Sequence, residues 1–146
     1  MIGESGSILT YSCQNRSASC RIPYGSGEKS VRAEFRFPDS TACPYLAFAA
    51  MLLAGLDGIK NKVEHVGPMD EDLFELTLDE IRDRGIEQLP HTLRGSLEAV
   101  IRDNKYLSPA MSNLFIETYQ HYKFETQVWP YEQRPTPFEF KTSFSC

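Results

Sequence analysis

Within residues 15–39, Glu34 sits among five basic side chains, Arg16, Arg21, Lys29, Arg32 and Arg36. The spacing around it is that of a strand. From 31 to 37 the residues alternate, so Arg32, Glu34 and Arg36 share one face and Val31, Ala33, Phe35 and Phe37 the other. An arginine two residues away on each side keeps Glu34 ionised, because a nearby opposite charge favours the charged form of a carboxylate. An ionised carboxylate can bind a divalent cation, and the flanking guanidiniums can hold phosphate or carboxylate oxygens in their planar forks. That layout suits charge stabilisation on a transferring phosphoryl group and its metal. The plainer alternative is a solvated ladder of surface ion pairs, which contribute little.

Two strands have to hold this cluster. Residues 17–24, SASCRIPY, read as a strand rich in small residues that carries Arg21, with Arg16 at its start. Gly25, Ser26 and Gly27 turn the chain back, which predicts a hairpin with Lys29 on its return side. GSGEKS lacks the GxxxxGK[ST] spacing of a phosphate loop, and no helix follows it, so that motif is rejected. Residues 8–14 form a further strand candidate leading into Asn15, which either holds a turn or contacts adenosine or substrate.

Beyond Asp39 the pattern turns helical. Ser40 or Thr41 is expected to cap a helix whose first turn takes Pro44. Ala47, Ala49, Ala50 and Ala54 allow close packing, and the helix is apolar nearly all round, which predicts burial against the strands or another subunit. Gly58 marks its loosening before Lys60 and Lys62, read as solvated. A short helix is expected to start within 70–78, favoured by acids at its N-terminus. Three more are read over 77–84, 92–103 and 112 to about 128. Leu93, Leu97, Val100 and Ile101 give the middle one an apolar stripe, and His121 in the last is read as structural. Pro130, Pro135 and Pro137 argue against further helix, and FEFKTSF reads as a strand. The expected fold class is α+β: an antiparallel strand pair or small sheet over 8–38, helices over 40–128 and a tail over 129–146, with residues 1–7 a truncation scar.

With 146 residues, 41% of them apolar, one domain with a core is expected. The net charge of −5 argues against a nucleic-acid binder, since the basic hairpin is local. Acids concentrate in 64–87, a solvated surface. The longest apolar run, 42–56, falls short of the roughly 20 residues of a membrane span, so no membrane role is expected. Cys13, Cys20, Cys43 and Cys146 show no CxxC spacing, and the histidines stand alone, so zinc is not expected. Without a secretory leader, reduced cytosolic thiols are the expectation.

The strings NRSAS and RIP at 15–23, R.E.RFPD at 32–39, and PYL.FAAMLLAGLDGIKNK at 44–62 closely resemble the C-terminal portion of bacterial type I glutamine synthetase. The likeness runs from about Ile8 to the last residue and covers roughly the final third of a family member. It implies ATP-dependent ligation of glutamate and ammonia through γ-glutamyl phosphate, with Mg or Mn, in a cytoplasmic dodecamer. Carried over by position, Arg16 is similar to the arginine that touches both glutamate and the ATP phosphates. Arg21, Lys29 and Arg32 are similar to nucleotide-phosphate contacts, Glu34 to a metal ligand, and Arg36 to a glutamate-binding arginine. Glu4 falls where the family has its flap acid, although MIGESG departs from that context.

Further implications follow from the same likeness. Phe74 stands where enteric members carry the tyrosine that is adenylylated, so that switch is not expected here. Cys43 replaces a common asparagine and Cys20 a common aliphatic residue. The tail's aromatics look like assembly contacts between rings. The family's remaining catalytic groups are expected upstream of Met1, so the chain alone is expected to be inactive. One alternative is a non-catalytic interaction module that binds itself or full-length subunits through its helices. Another is an unrelated phosphoryl-transfer protein such as a guanidino kinase.

Overall fold

The computed structural model describes residues 7–13, 15–25, 27, 30–65, 67–73 and 75–144. Three of the positions singled out above, Glu4, Lys29 and Phe74, lie outside the described residues. The chain forms two compact units, Met1–His91 and Thr92–Cys146.

The first unit is built on a three-stranded sheet in the order β1 (Ile8–Ser12), β2 (Ala18–Arg21), β3 (Glu34–Phe35). β1 and β2 run parallel, joined by a short link. Asn15 makes that link possible, because its side-chain oxygen accepts from Ser17 N at 2.9 Å while its own N–H donates to Ser12 Oγ at 3.0 Å. The turn reading of Asn15 is present in the structure. β2 and β3 pair antiparallel, Cys20 with Phe35 and Arg21 with Glu34, which is the expected hairpin. Its regular part is shorter than the alternation of 31–37 predicts. Arg36 N still donates to Ser19 O, and Phe35 and Phe37 meet edge to face at 5.7 Å on their common side.

Helix α1 (Pro44–Asn61) starts as Pro44 predicts but is capped differently. Asp39, not a helix terminus, takes up Thr41, whose N–H and hydroxyl both donate to Asp39 Oδ1. The N-cap falls on Cys43, which makes no side-chain cap bond. The helix passes Gly55 and Gly58 and ends at Lys62 in the left-handed region, φ 50°. No residue of α1 is buried, so the expected burial against the strands is not found in this chain.

Residues 70–73 do not start a helix. They are tied to the sheet instead: Ser12 Oγ donates to Asp70 Oδ1 at 2.7 Å, Asn15 Nδ2 donates to Glu71 O, and Leu73 N donates to Ser17 Oγ at 3.1 Å. These non-local bonds take the backbone groups that a helix would use. They also seat Leu73 in the unit's core with Ile8, Ile81 and Ile86. Helix α2 (Leu78–Asp83) follows, opened by a capping box between Thr77 and Glu80. It closes on Gly85 at φ +68°, where Gly85 N donates to Arg82 O and Ile86 N to Ile81 O. This paired closure brings Ile86 onto Ile81.

The second unit contains α3 (Leu93–Arg102) and α4 (Asn113–Lys123), capped by Thr92 and Ser112, the positions at which the two helices are expected to begin. Leu97 of the α3 stripe is buried, as is Ile116 of α4. Two expectations fail beyond α4. The chain stays helical past Pro130, through a π-turn at Phe124–Val128 into α5 (Trp129–Glu132). Trp129 N donates to Phe124 O, and the widened turn leads into Pro130, near the start of α5, where no amide donor is needed. The segment read as a strand is α6 (Pro137–Ser143), because Thr136 and Glu139 form a capping box around Pro137 and override the alternation of FEF. Arg94 clamps Glu132 with Nε 2.7 Å from Oε1 and lies over the Phe124 ring at 5.4 Å, tying α3 to the π-turn and α5.

Candidate functional site

The hairpin register decides which charges meet. Because Arg21 lies opposite Glu34, its Nη1 donates to Glu34 Oε2 at 3.2 Å. Arg32 reaches the other oxygen with two donors, Nε at 3.0 Å and Nη2 at 2.7 Å from Oε1. Both carboxylate oxygens therefore carry a guanidinium. The Arg32 hydrogen bond above all, then that of Arg21, holds the Glu34 carboxyl below its ordinary range, against partial desolvation. Glu34 is half-buried, and Arg32 is the more exposed of its two partners.

The remaining candidates divide. Arg36 turns away from Glu34, and its Nη1 donates to the backbone oxygen of Arg16 at 3.0 Å. Arg16 is exposed at the corner that Asn15 builds. Arg21, Arg32 and Glu34 thus form one cluster, and Arg36 with Arg16 a second at the base of β2. Sequence reasoning missed the support beneath them: the Ser12 hydroxyl, itself held by Asp70, accepts from Asn15 N, and the Ser17 backbone N–H donates to the Asn15 side chain. Asn15 directly before Arg16 was the one available signal.

A guanidinium pair around one carboxylate can bind a polyanion if the carboxylate is met by a cation and releases its arginines. Glu34 offers a metal one carboxylate. Among the described residues no group of three His, Cys, Asp or Glu side chains could hold a metal ion. The donors present thus fit one corner of the oxygen shell that a divalent cation requires. An open pocket of about 490 Å³ lies along β1, lined by Tyr11, Cys20, His65 and Glu87 among others. Arg16, Arg21, Arg32 and Arg36 do not line it.

The family described as "Glutamine synthetase, catalytic domain" matches residues 3–143. This chain belongs to the glutamine synthetase family. It is 59% identical over 145 residues to a glutamine synthetase of Helicobacter pylori strain 26695, an alignment covering 98% of this chain and 30% of that protein. Against a glutamine synthetase of Streptomyces filamentosus it is 45% identical over 139 residues, 93% of this chain and 29% of that protein. The chain therefore spans about 30% of the length of the curated relatives it matches. In fold it is similar to a solved structure described as a GmaS/ADP complex, with TM-score 0.79 and 30% identity over 96% of this chain and 30% of the other. A glutamine synthetase of Plasmodium falciparum shares the fold alone, at TM-score 0.73 and 22% identity. Family membership displaces the guanidino-kinase reading.

Proposed function

We propose that this chain supplies the phosphate-facing hairpin of an ATP-dependent ligation that joins glutamate and ammonia. The observation that carries the reading is the convergence of Arg21 and Arg32 on Glu34 across a two-strand register. In the reaction the γ-carboxylate of glutamate attacks the γ-phosphorus of ATP, releasing ADP and forming γ-glutamyl phosphate. Ammonia then attacks the acyl carbon and inorganic phosphate leaves.

The residue roles are those the family resemblance implies, and the charges of these side chains support them. Arg21 and Arg32, with Lys29, bind nucleotide phosphate oxygens and oppose the charge that builds during transfer. Arg16, exposed at the corner, reaches both the phosphates and the glutamate, and Arg36 beside it binds the glutamate carboxylate. Glu4 is proposed as the acid of the flap over bound glutamate. A divalent cation, Mg or Mn, supplies charge neutralisation when bound. Glu34 is the residue that would hold it, with Arg21 and Arg32 then left to phosphate.

The complete site is proposed to form in a homo-oligomer, a dodecamer in the cytoplasm. Among the described residues no helix is long and apolar enough to cross a membrane. The chain alone is expected to make no glutamine at enzyme-like rates, because among the described residues Glu34 is the one carboxylate within its arginine cluster and electrostatic catalysis needs the whole donor set.

Calorimetry with Mg-ATP tests the phosphate role. The parent chain is expected to bind, and an Arg21→Ala, Arg32→Ala double variant to lose about tenfold or more in affinity, the scale of charge-assisted hydrogen bonds. Equal binding by both, with unchanged circular dichroism, would remove the hairpin from nucleotide binding.

A further inference from the structure

Residues 69–73 lie along the corner that carries Arg16 and are bonded to it at four points. Met69 N donates to Tyr11 O at 2.9 Å, and Asp70 Oδ1 accepts from Ser12 Oγ at 2.7 Å. Glu71 O accepts from Asn15 Nδ2, and Leu73 N donates to Ser17 Oγ at 3.1 Å. Arg16 thus stands between two residues, Asn15 and Ser17, that this segment holds. Ser12 and Ser17 are buried, whereas the Arg16 side chain is exposed. Fixing the backbone on both sides of Arg16 fixes the direction in which that side chain leaves the corner, and Arg36 Nη1 engages its carbonyl at 3.0 Å.

Three of the four contacts use backbone groups of 69–73, which residues of many types would supply. The fourth depends on the Asp70 side chain. An ionised carboxylate accepts hydrogen bonds and does not donate them, so Ser12 spends its one hydroxyl proton on Asp70. The Ser12 oxygen then presents a lone pair to Asn15 N–H, 3.0 Å away. A bond to a carboxylate is shorter and stronger than one between neutral groups, so it holds the hydroxyl in this orientation. The Asn15 amide is drawn back toward β1, and the Asn15 side-chain oxygen receives Ser17 N–H at 2.9 Å, which closes the corner. Asp70 touches neither arginine. It reaches Arg16 through a serine 58 residues away in sequence, and every group in the path belongs to the first unit.

We infer that Asp70 is a positioning residue for Arg16, acting through the Ser12 hydroxyl on the Asn15 turn. Its consequence for binding rests on the ligation reading, in which Arg16 meets nucleotide phosphate. The placement itself needs no ligand.

Amide nitrogen relaxation of Asn15, Arg16 and Ser17 in the ligand-free full chain tests the placement, and calorimetry with Mg-ATP tests its use. Asp70→Ala and Ser12→Ala are each expected to loosen the three amides, and the double variant to loosen them no further than Ser12→Ala alone. Asp70→Asn keeps an oxygen for Ser12 to donate to and is expected to fall between the parent and Asp70→Ala. Glu71→Ala removes the ion pair with Arg84 but keeps the backbone oxygen that Asn15 uses, so the three amides are expected to stay at the parent's values. Asp70→Ala is expected to bind Mg-ATP about tenfold more weakly than the parent, with Arg21 and Arg32 intact. Unchanged amides in Asp70→Ala, equal loosening in Glu71→Ala, additive loosening in the double variant, or parent-like affinity in Asp70→Ala would each overturn the inference. A parent that binds no Mg-ATP would contradict the ligation reading instead, and loosened amides in Asp70→Ala would still support the placement of Arg16 by Asp70.

Discussion

Glu34 keeps both carboxylate oxygens on guanidiniums, and the state of that one group reports on the whole cluster. Its pKa is held low first by the Arg32 hydrogen bond, so the folded carboxyl binds its proton less readily than the unfolded one. The stabilisation this implies is present above the ordinary carboxylate pKa and is lost as pH falls through the lowered folded value. Arg32→Ala is expected to raise the Glu34 pKa toward the ordinary range, read from its side-chain carbon shift in an NMR titration. A titration unchanged by the substitution would mean that the two side chains do not pair in solution. At this scale the sequence was informative, because alternation alone put Arg32 and Glu34 on one face. Arg36 was harder to read. It shares that face, yet it spends a donor on the Arg16 carbonyl 20 residues away, a contact set by the Asn15 turn rather than by strand spacing.

The elements were legible where their signals were local. Thr77, Thr92 and Ser112 each cap the helix that follows, and Gly85 ends α2 in a conformation that a side chain resists. Gly85→Ala is expected to destabilise the chain by about 1 kcal/mol in denaturant unfolding. Lys62→Gly, at the left-handed end of α1, is expected to change stability in the opposite direction by up to about 1 kcal/mol. Both substitutions acting with the same sign would contradict the backbone assignment. Elsewhere long-range contacts or a competing local signal won. Residues 70–73 have the acids of a helix start but give their hydrogen bonding to Ser12, Asn15 and Ser17. For α6 the decisive signal was in the sequence: Thr136, Pro137 and Glu139 spell a capped helix start, which outweighs two alternating phenylalanines. Thr136→Ala is expected to cost about 1 kcal/mol of α6 stability and to reduce helical circular dichroism. An unchanged spectrum and melting curve would leave α6 without its proposed cap.

Across the whole chain, an overall charge of −5 contrasts with the local basic hairpin of the first unit. Composition alone foretold that contrast and argued against nucleic acid as a partner. What composition could not convey is how much of a site one stretch can hold. The chain spans about 30% of its curated relatives, and its described residues gather two arginines and one carboxylate at the proposed phosphate site. Apolar α1 reads as a core helix by sequence and stands exposed in the fold, since burial depends on partners that hydrophobicity does not name. The central claim is that Arg21 and Arg32 face nucleotide phosphate. It is tested most directly by following the arginine Nε–H resonances during titration with Mg-ATP. Saturable shifts at Arg21 and Arg32, with Arg82 and Arg94 unmoved, are expected. Equal shifts at all four arginines, or none at Arg21 and Arg32, would contradict it.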